Sequence, residues 1–260
     1  MIELENVAFA WPDAPPAFAD LTLTIGQGEK VVLLGANGCG KSTLLKLLDG
    51  LVAPTAGAYR YAGEAVTPAA LKARGRGRRF RAEVALLFQH PEAMLFNPTV
   101  FDEVAYTPRR LGLADAEERA RRWLAALDLA ALADKAPFTL SGGEKQKVAL
   151  AAVLAVEPRL LLLDEPSASL DPRTAGWLVD LLQDGPATVI VSTHNLSLAA
   201  ELGERCLILG ENRRLIYDGP VEAALADLDL LERANLAHRH RHRHGGHAHA
   251  HAHRHDWESS

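Results

Sequence analysis

A glycine-rich segment between an apolar run and a helix-like run has the residue types that bind phosphate. It covers residues 35–43, follows the apolar run 31–34, and fits the spacing G-x-x-x-x-G-K-[ST]. Glycines let the backbone approach a triphosphate, and the helix that follows directs the positive end of its dipole at it. We expect Lys41 to reach the β- and γ-phosphates and Ser42 to bind Mg²⁺. The expected phosphate-binding residues are Gly35, Ala36, Asn37, Gly38, Cys39, Gly40, Lys41, Ser42 and Thr43.

Four further patterns follow this loop in chain order, and each is weak when considered alone. The segment 140–146 reads Leu-Ser-Gly-Gly-Glu-Lys-Gln and begins a predicted helix, and an apolar strand ends in Asp164 and Glu165. Asp171 follows a Ser-Leu pair, and His194 lies just beyond another apolar strand. A Ser-Gly-Gly turn, a pair of acids and a single histidine are usually structural. Their joint occurrence in this order is what indicates function.

Composition places the chain among ordinary globular proteins. It has 260 residues, 48% hydrophobic, 23% charged, with a net charge of −5. The length suits one large domain or a domain with an insert. The slightly negative net charge does not indicate nucleic-acid binding. The longest apolar run, 148–156, is shorter than the roughly 18 residues that span a bilayer. No secretory signal is visible at the N-terminus, and two cysteines suit a reducing cytosol.

Hydrophobic periodicity predicts strands and helices in alternation. Residues 2–9 and 21–25 alternate apolar and polar positions, as in half-exposed strands. Three continuous apolar runs, 84–88, 159–164 and 187–192, are typical of buried strands in a parallel sheet. The chain between the first two of these runs shows helical spacing, so we expect a mostly helical insert there.

Three segments admit two interpretations each. Trp11 can stack on a base or pack under the sheet. The basic segment 72–81 contains two glycines and is predicted to be a loop, either solvated or in contact with anionic headgroups or an acidic partner. Cys39 can have a redox role or be a small, tolerated side chain of the phosphate loop.

Over about residues 1–230, this set of motifs resembles that of the ATP-binding subunits of ABC transporters. The resemblance implies an α/β fold: a P-loop NTPase core with a mixed, mainly parallel sheet, an N-terminal antiparallel β part and a helical insert. It places the ATP-binding domain at residues 1–235, with the helical subdomain at about 90–157. It also implies an ATP hydrolase that uses ATP and Mg²⁺.

The resemblance implies roles in nucleotide and metal binding. Trp11 stacks on adenine, where tyrosine is commoner in the family. Ser42 and Asp164 are Mg²⁺ ligands, Asp164 usually through water. Gln89 contacts Mg²⁺ or the lytic water and links the site to the membrane partner. In the family two ATPase subunits, identical or different, pair head to tail, and the Leu-Ser-Gly-Gly segment of one closes over the γ-phosphate bound by the other. In this chain that segment contributes Ser141, Gly142 and Gly143.

The resemblance also implies which residues act in hydrolysis. Glu165 polarises the attacking water, and His194 contacts the γ-phosphate. With Lys41 and Gln89 they form the expected catalytic set. Asp171 helps to join the two subunits. Glu144 stands where many members of the family have glutamine, a change that also occurs in importer-type subunits.

Residues 88–100 resemble the Gln-loop region of energy-coupling-factor importers, most closely those for cobalt and nickel. In these importers the ATPase chains drive a membrane coupling protein and a substrate-binding membrane protein. The resemblance therefore implies a peripheral subunit at the cytoplasmic face of the cell membrane. An importer ATPase for another substrate, such as a vitamin, and a non-transport ATPase of the same fold remain as alternatives.

The C-terminal residues 236–260 have a composition that cannot build a core, and we expect them to be disordered. Nine of the eleven histidines lie here: His238, His240, His242, His244, His247, His249, His251, His253 and His255. Neutral imidazole binds Ni²⁺, Co²⁺, Cu²⁺ and Zn²⁺, although the interleaved arginines oppose cation binding by repulsion. For the tail, an expression tag is the alternative. For the whole chain, a metal-storage or metal-chaperone protein with a degenerate ATP site is a further alternative.

Overall fold

An antiparallel sheet is built from the N-terminal part of the chain. The computed structural model describes residues 1–244 and 247–254. This sheet has the order β2-β1-β4-β5. Its strands are β1 (Ile2–Ala10), β2 (Pro16–Ile25), β4 (Ala56–Tyr61) and β5 (Glu64–Ala65). Residues of β1 and β2 alternate between buried and more exposed positions over much of their length, as the half-exposed strands of the sequence prediction require.

A six-stranded sheet in the order β10-β9-β3-β8-β7-β6 forms the centre of the molecule. All neighbouring pairs are parallel except β9 and β10. Its strands are β3 (Lys30–Leu34), β6 (Val84–Leu87), β7 (Leu160–Asp164), β8 (Thr188–Ser192), β9 (Arg205–Leu209) and β10 (Leu215–Pro220). The predicted mixed, mainly parallel sheet and the separate antiparallel part are thus confirmed.

Helices cover both faces of the central sheet. They are α1 (Lys41–Leu48), α2 (Pro68–Lys72), α3 (Arg74–Glu83), α4 (Val100–Leu111), α5 (Ala116–Ala126), α6 (Gly142–Leu154), α7 (Pro172–Asp184), α8 (Leu196–Leu202), α9 (Val221–Ala226) and α10 (Leu228–Arg233). Helices α4, α5 and α6 pack on one another and lie between β6 and β7 in the chain. They are the helical insert, and its extent of about 90–157 stays a prediction.

Two hydrophobic cores lie on opposite faces of the central sheet. In β3, Val32 and Leu34 belong to the core beneath the helical insert, whereas Val31 and Leu33 belong to the core shared with the antiparallel sheet and α1. Because successive side chains of a strand point to opposite faces, a strand buried on both sides is continuously apolar. This explains why the runs preceding the functional motifs show no alternation.

The basic segment 72–81 differs from the prediction of a loop, which is wrong for most of its length. Residues 74–83 form α3, with Gly77 buried. A Cβ at Gly77 would lie 2.1 Å from the carbonyl oxygen of Leu71, so this glycine permits a close contact with α2. Glycine lowers helix propensity by about 1 kcal/mol, and tertiary packing overrides that preference here.

The arginines of α3 connect it to neighbouring elements. Arg76 lies 2.9 Å from a carboxylate oxygen of Glu64, and Arg79 pairs with the same carboxylate. Arg81 lies 3.5 Å from the carboxylate of Asp49 at the end of α1. Since these charges have partners within the chain, the structure favours an intramolecular role for this segment over contact with anionic headgroups.

The C-terminal tail contains two paired strands, and the disorder expected for residues 236–260 stays a prediction. Residues Ala237–His244 (β11) and His247–Arg254 (β12) pair as an antiparallel two-stranded sheet. Histidine alternates strictly with arginine or alanine, and that two-residue period is the period of a strand. The compositional argument for disorder considers only the lack of a core and takes no account of this period. His255 lies outside the described residues.

Candidate nucleotide-binding site

The phosphate loop lies between the end of β3 and α1, and two glycines allow its neighbours to approach closely. Gly35 has φ +146°, and a Cβ there would lie 2.5 Å from the carbonyl oxygen of Leu209. Gly40 has φ +110°, and its Cβ would lie 2.5 Å from the carbonyl oxygen of Ala17. The loop is therefore held between the end of β9 and the start of β2.

Lys41 folds back over this loop. Its side chain is buried, and Nζ donates to the carbonyl oxygens of Gly35 at 2.6 Å and Ala36 at 3.2 Å. The ammonium charge is thereby fixed at the loop, close to the backbone N–H groups that a phosphate would use. Cys39 is buried in the loop, and burial raises the pKa of its thiol. This favours the interpretation of Cys39 as a small packing residue over a redox role, because the reactive form is the thiolate.

A cavity of about 450 Å³ opens over the phosphate loop. Asp164 ends the central strand β7, and Glu165 follows it. Nine expected site residues line the cavity together with Glu165: Trp11, Asn37, Gly38, Gly40, Lys41, Ser42, Thr43, Gln89 and Asp164. Gly35, Ala36 and Cys39 belong to the loop behind this lining. The indole of Trp11 is 42% exposed and meets Phe9 edge to face, with ring centroids 4.9 Å apart. Trp11 thus packs on the antiparallel sheet and also borders the cavity.

The acid pair lies at the carboxyl ends of two adjacent parallel strands. Asp164 is aligned with Ser192 of β8, and the Ser192 hydroxyl donates to Asp164 Oδ1 at 2.5 Å. The Ser192 carbonyl accepts from the backbone N–H of Glu165 at 3.0 Å. Both acids and Ser192 are buried. Ser192 therefore positions the carboxylate of Asp164 and the backbone of Glu165, a role that the sequence motifs do not indicate.

Glu165 adopts an unusual backbone conformation for a residue with a side chain. Its φ is +49°, in the left-handed region, which costs of order 1 kcal/mol or more and persists where the surroundings enforce it. Its Oε1 lies 2.8 Å from Nδ1 of His194, whose ring is half exposed. The structure thus brings together the two residues expected to act on the attacking water and the γ-phosphate.

The Ser-Gly-Gly segment lies apart from the cavity of its own chain. Ser141 is the N-cap of α6: its hydroxyl accepts from the Glu144 N–H at 3.3 Å. In return the Glu144 carboxylate accepts from the Ser141 N–H and hydroxyl, each at 2.8 Å, and these bonds lower the pKa of Glu144. Of the described residues that line the cavity, none comes from this segment, so Ser141, Gly142 and Gly143 do not meet the phosphate loop within one chain.

Asp171 serves the local structure at the start of α7. Its carboxylate accepts from the Thr174 N–H at 2.9 Å and hydroxyl at 2.7 Å, and Lys147 of α6 lies 3.2 Å away. These hydrogen bonds, first those from Thr174, hold the pKa of Asp171 well below its usual range. The bonds described therefore tie the helical insert to the core, whereas the expected role of Asp171 between subunits stays a prediction.

Some cavity residues have no sequence signal. Arg213, in the turn between β9 and β10, lines the cavity, as do Ala14, Pro15 and Ala17. A lone arginine in a hairpin turn is indistinguishable in the sequence from a solvated surface residue.

Among the described residues, no cluster of three histidine, cysteine, aspartate or glutamate side chains could hold a metal ion. Over the same part of the chain, no helix combines the length and apolar character needed to cross a membrane.

Comparison with known proteins decides the family. Residues 18–168 match the ABC transporter family. A putative ABC transporter ATP-binding protein of Methanosarcina acetivorans is 42% identical over 92% of this chain and 89% of its own length. The nickel import ATP-binding protein NikO of Rhodobacter capsulatus is 43% identical over 90% of this chain and 94% of its own length. The chain belongs to the ABC transporter family.

Solved structures of ABC cassettes share the fold. The dimeric ATP-binding cassette MJ0796 bound to ADP and phosphate superposes with a TM-score of 0.75 at 26% identity, covering 85% of this chain and 99% of that one. CbiO1 from Clostridium perfringens, part of the CbiONQ complex, has a TM-score of 0.73 at 27% identity, covering 90% and 94%. The chain is thus an ABC ATPase, and ATP hydrolysis is its activity.

The close contact of Gly40 with the Ala17 carbonyl predicts that a side chain at position 40 lowers the affinity of this ABC ATPase for ATP. Gly38→Ala introduces only backbone strain of roughly 1–3 kcal/mol, because nothing lies within 4 Å of its Cβ position. Gly40→Ala adds a collision with the carbonyl of Ala17, so we expect its affinity for a fluorescent ATP analogue to be at least about tenfold below that of Gly38→Ala. Equal affinities of the two variants would contradict the described seating of the loop.

Proposed function

We propose that this ABC ATPase is the energy-coupling subunit of an importer of the energy-coupling-factor type, for nickel or cobalt ions. The ATPase activity in this proposal is supported by one observation: the Lys41 loop, Asp164 and Glu165 line the same cavity. The similarity to NikO supports the importer part, as does a 36% identity to the energy-coupling factor transporter ATP-binding protein EcfA of Methanothermobacter thermautotrophicus over 91% of this chain.

The oxygen donors in the cavity suit Mg²⁺. Ser42, Gln89 and Asp164 supply a hydroxyl, an amide and a carboxylate, and Mg²⁺ prefers such hard oxygen ligands. The bond from Ser192 occupies Oδ1 of Asp164, which fixes the carboxylate group. When bound, Mg²⁺ neutralises charge on the phosphate oxygens. Lys41 binds the β- and γ-phosphates with its ammonium, whose position the loop carbonyls already fix.

Glu165 acts as the base that accepts a proton from the attacking water. Its carboxylate is buried at the cavity wall, and its strained backbone and the bond to His194 fix its orientation. With Nδ1–H donated to Glu165, the second ring nitrogen of His194 can donate to a phosphate oxygen only when the ring is protonated. A protonated His194 therefore connects the carboxylate of Glu165 to the γ-phosphate by two hydrogen bonds.

Two ATPase subunits complete each site. The Ser141 segment is remote from the cavity of its own chain, yet it combines the N-terminus of a 13-residue helix with a hydroxyl. Such a helix end favours an anion. We propose that it closes over the ATP of a second subunit in a head-to-tail pair, and the second subunit is either an identical chain or a related one.

Replacing Glu165 tests the assignment of the base. Glu165→Gln removes proton acceptance while preserving shape, so we expect kcat for ATP hydrolysis to fall by about 10²–10⁴ with ATP affinity retained. Glu118→Gln, an exposed acid on α5, is the matched control and should retain activity. Near-normal turnover by Glu165→Gln would exclude Glu165 as the base.

The segment after Gln89 presents an aromatic pair suited to a protein partner. Phe96 is 67% exposed, and its ring meets Tyr106 edge to face at 4.9 Å. The buried carboxylate of Glu103 accepts from the backbone N–H groups of Phe96 at 2.8 Å and Asn97 at 2.7 Å, which holds this segment in place. We propose that Phe96 contacts the membrane coupling protein, which is accompanied by the substrate-binding membrane protein at the cytoplasmic face of the membrane.

Co-purification tests the importer proposal. A tagged chain isolated from solubilised membranes should retain membrane proteins, with nickel or cobalt in the complex. Phe96→Ala should reduce their retention by at least about tenfold, as for an exposed aromatic anchor. Leu51→Ala, at an exposed apolar residue elsewhere, is the control. Recovery of no membrane protein by the unaltered chain would favour a non-transport ATPase.

The register of the tail hairpin supports a metal-binding role. Its backbone pairing sets histidine opposite histidine at four alternate cross-strand positions, from His238 and His253 to His244 and His247. Imidazole is a ligand of divalent nickel and cobalt, and the backbone pairing brings a histidine of each strand to the same position along the hairpin. We propose that the tail binds Ni²⁺ or Co²⁺.

Deleting residues 238–255 tests the tail. Calorimetric titration with Ni²⁺ should show binding to the full chain and its loss after deletion, while ATP hydrolysis by the separate subunit stays unchanged. A control replaces Arg239, Arg241 and Arg243 with alanine, which should strengthen binding by removing repulsion. Heat that is unaltered by the deletion would disprove the metal role of the tail.

A further inference from the structure

The turn between β9 and β10 forms one wall of the nucleotide cavity. It begins beside the phosphate loop, because the carbonyl of Leu209 is the group that Gly35 approaches. Two backbone bonds close the turn: Arg213 N–H donates to the Gly210 carbonyl at 2.9 Å, and Gly210 N–H donates to the Arg214 carbonyl at 3.0 Å. The position of this turn is therefore set by the same contact that seats the phosphate loop.

Arg213 connects this turn to the segment that follows Trp11. Its guanidinium Nη1 donates to the carbonyl of Pro16, and its own carbonyl accepts from the Ala19 N–H at 3.1 Å. Its φ is +62°, a left-handed conformation that an arginine rarely adopts. Strained residues cluster at ligand-binding sites, where the surroundings enforce them. Here the hydrogen bonds with Pro16 and Ala19 hold Arg213 in this conformation, and its guanidinium cation lies at the cavity wall.

The charge of Arg213 is held by different backbone groups from the charge of Lys41. Of the described residues lining the cavity, these two are the cations. Lys41 bonds to the carbonyls of Gly35 and Ala36 in the phosphate loop, whereas Arg213 bonds to Pro16, next to the loop that carries Trp11. A guanidinium has five donor groups and matches phosphate geometry. Pro16 uses one of them.

We propose that Arg213 binds the α-phosphate of the nucleotide. The inference rests on the proposed nucleotide site, in which Trp11 contacts the base and the Lys41 loop holds the β- and γ-phosphates. Of the three phosphates, the α-phosphate is the one nearest to the base. A cation on the Trp11 side of the cavity is complementary to that group.

Arg213→Gln tests this assignment by measuring ATP and ADP affinity with fluorescent nucleotide analogues. Both nucleotides contain the α-phosphate, so both affinities should fall by the same factor, about tenfold or more for a charge-assisted bond. Arg213→Lys keeps the charge and should recover part of the loss.

The adjacent arginine is a matched control. Arg214 belongs to the same turn and pairs with Asp20 at 2.7 Å, with its side chain 56% exposed. Arg214→Gln removes the same charge and should leave both affinities unchanged. Thermal unfolding without nucleotide shows whether each variant is folded.

Several results would overturn the proposal. They are unchanged affinity in a folded Arg213→Gln variant, a loss confined to ATP, or an equal loss in Arg214→Gln. If the unaltered chain binds neither nucleotide, the proposed site itself is refuted rather than the role of Arg213.

Discussion

The close contact of two glycines with neighbouring carbonyl groups is the constraint on which the site depends. The loop after β3 has room only because Gly35 lies against Leu209 and Gly40 against Ala17. Since Leu209 ends β9 and Ala17 lies near the start of β2, these contacts place both sheets at the same loop. The Arg213 turn and the Trp11 loop then border one cavity. Backbone packing thus assembles a site whose side chains come from distant parts of the chain.

The parallel register of the central sheet completes this arrangement. Asp164 and Ser192 end adjacent strands and are aligned in register, which brings a carboxylate and a hydroxyl together. Ligand sites of open α/β sheets lie outside the carboxyl ends of the strands. Two apolar cores hold the strands from opposite faces, so the ends of β3, β7 and β8 are fixed relative to each other. The half-exposed ring of His194 contacts the buried carboxylate of Glu165 at this edge of the sheet.

The sequence predicts the sheet and most of the cavity, since both depend on local signals. Apolar runs before residues 35 and 164 indicate buried strands, and the glycine spacing indicates the loop. Ser192 and Arg213 escape prediction because their roles arise from register and from a turn that packs across the sheet. The helix α3 is missed because its glycines suggest a loop, although arginine pairs with Glu64 and Asp49 anchor it.

The capping box at the start of α6 places the negative charge of Glu144 at the positive end of the helix. The carboxylate of Glu144 lies 2.8 Å from both the N–H and the hydroxyl oxygen of Ser141, so this helix end already has an anion of its own. A phosphate approaching from another chain would meet fixed negative charge and would have to displace it. Glutamine at this position would offer the same hydrogen bonds without repulsion. The identity of a single capping residue therefore sets an electrostatic threshold for bringing two chains together.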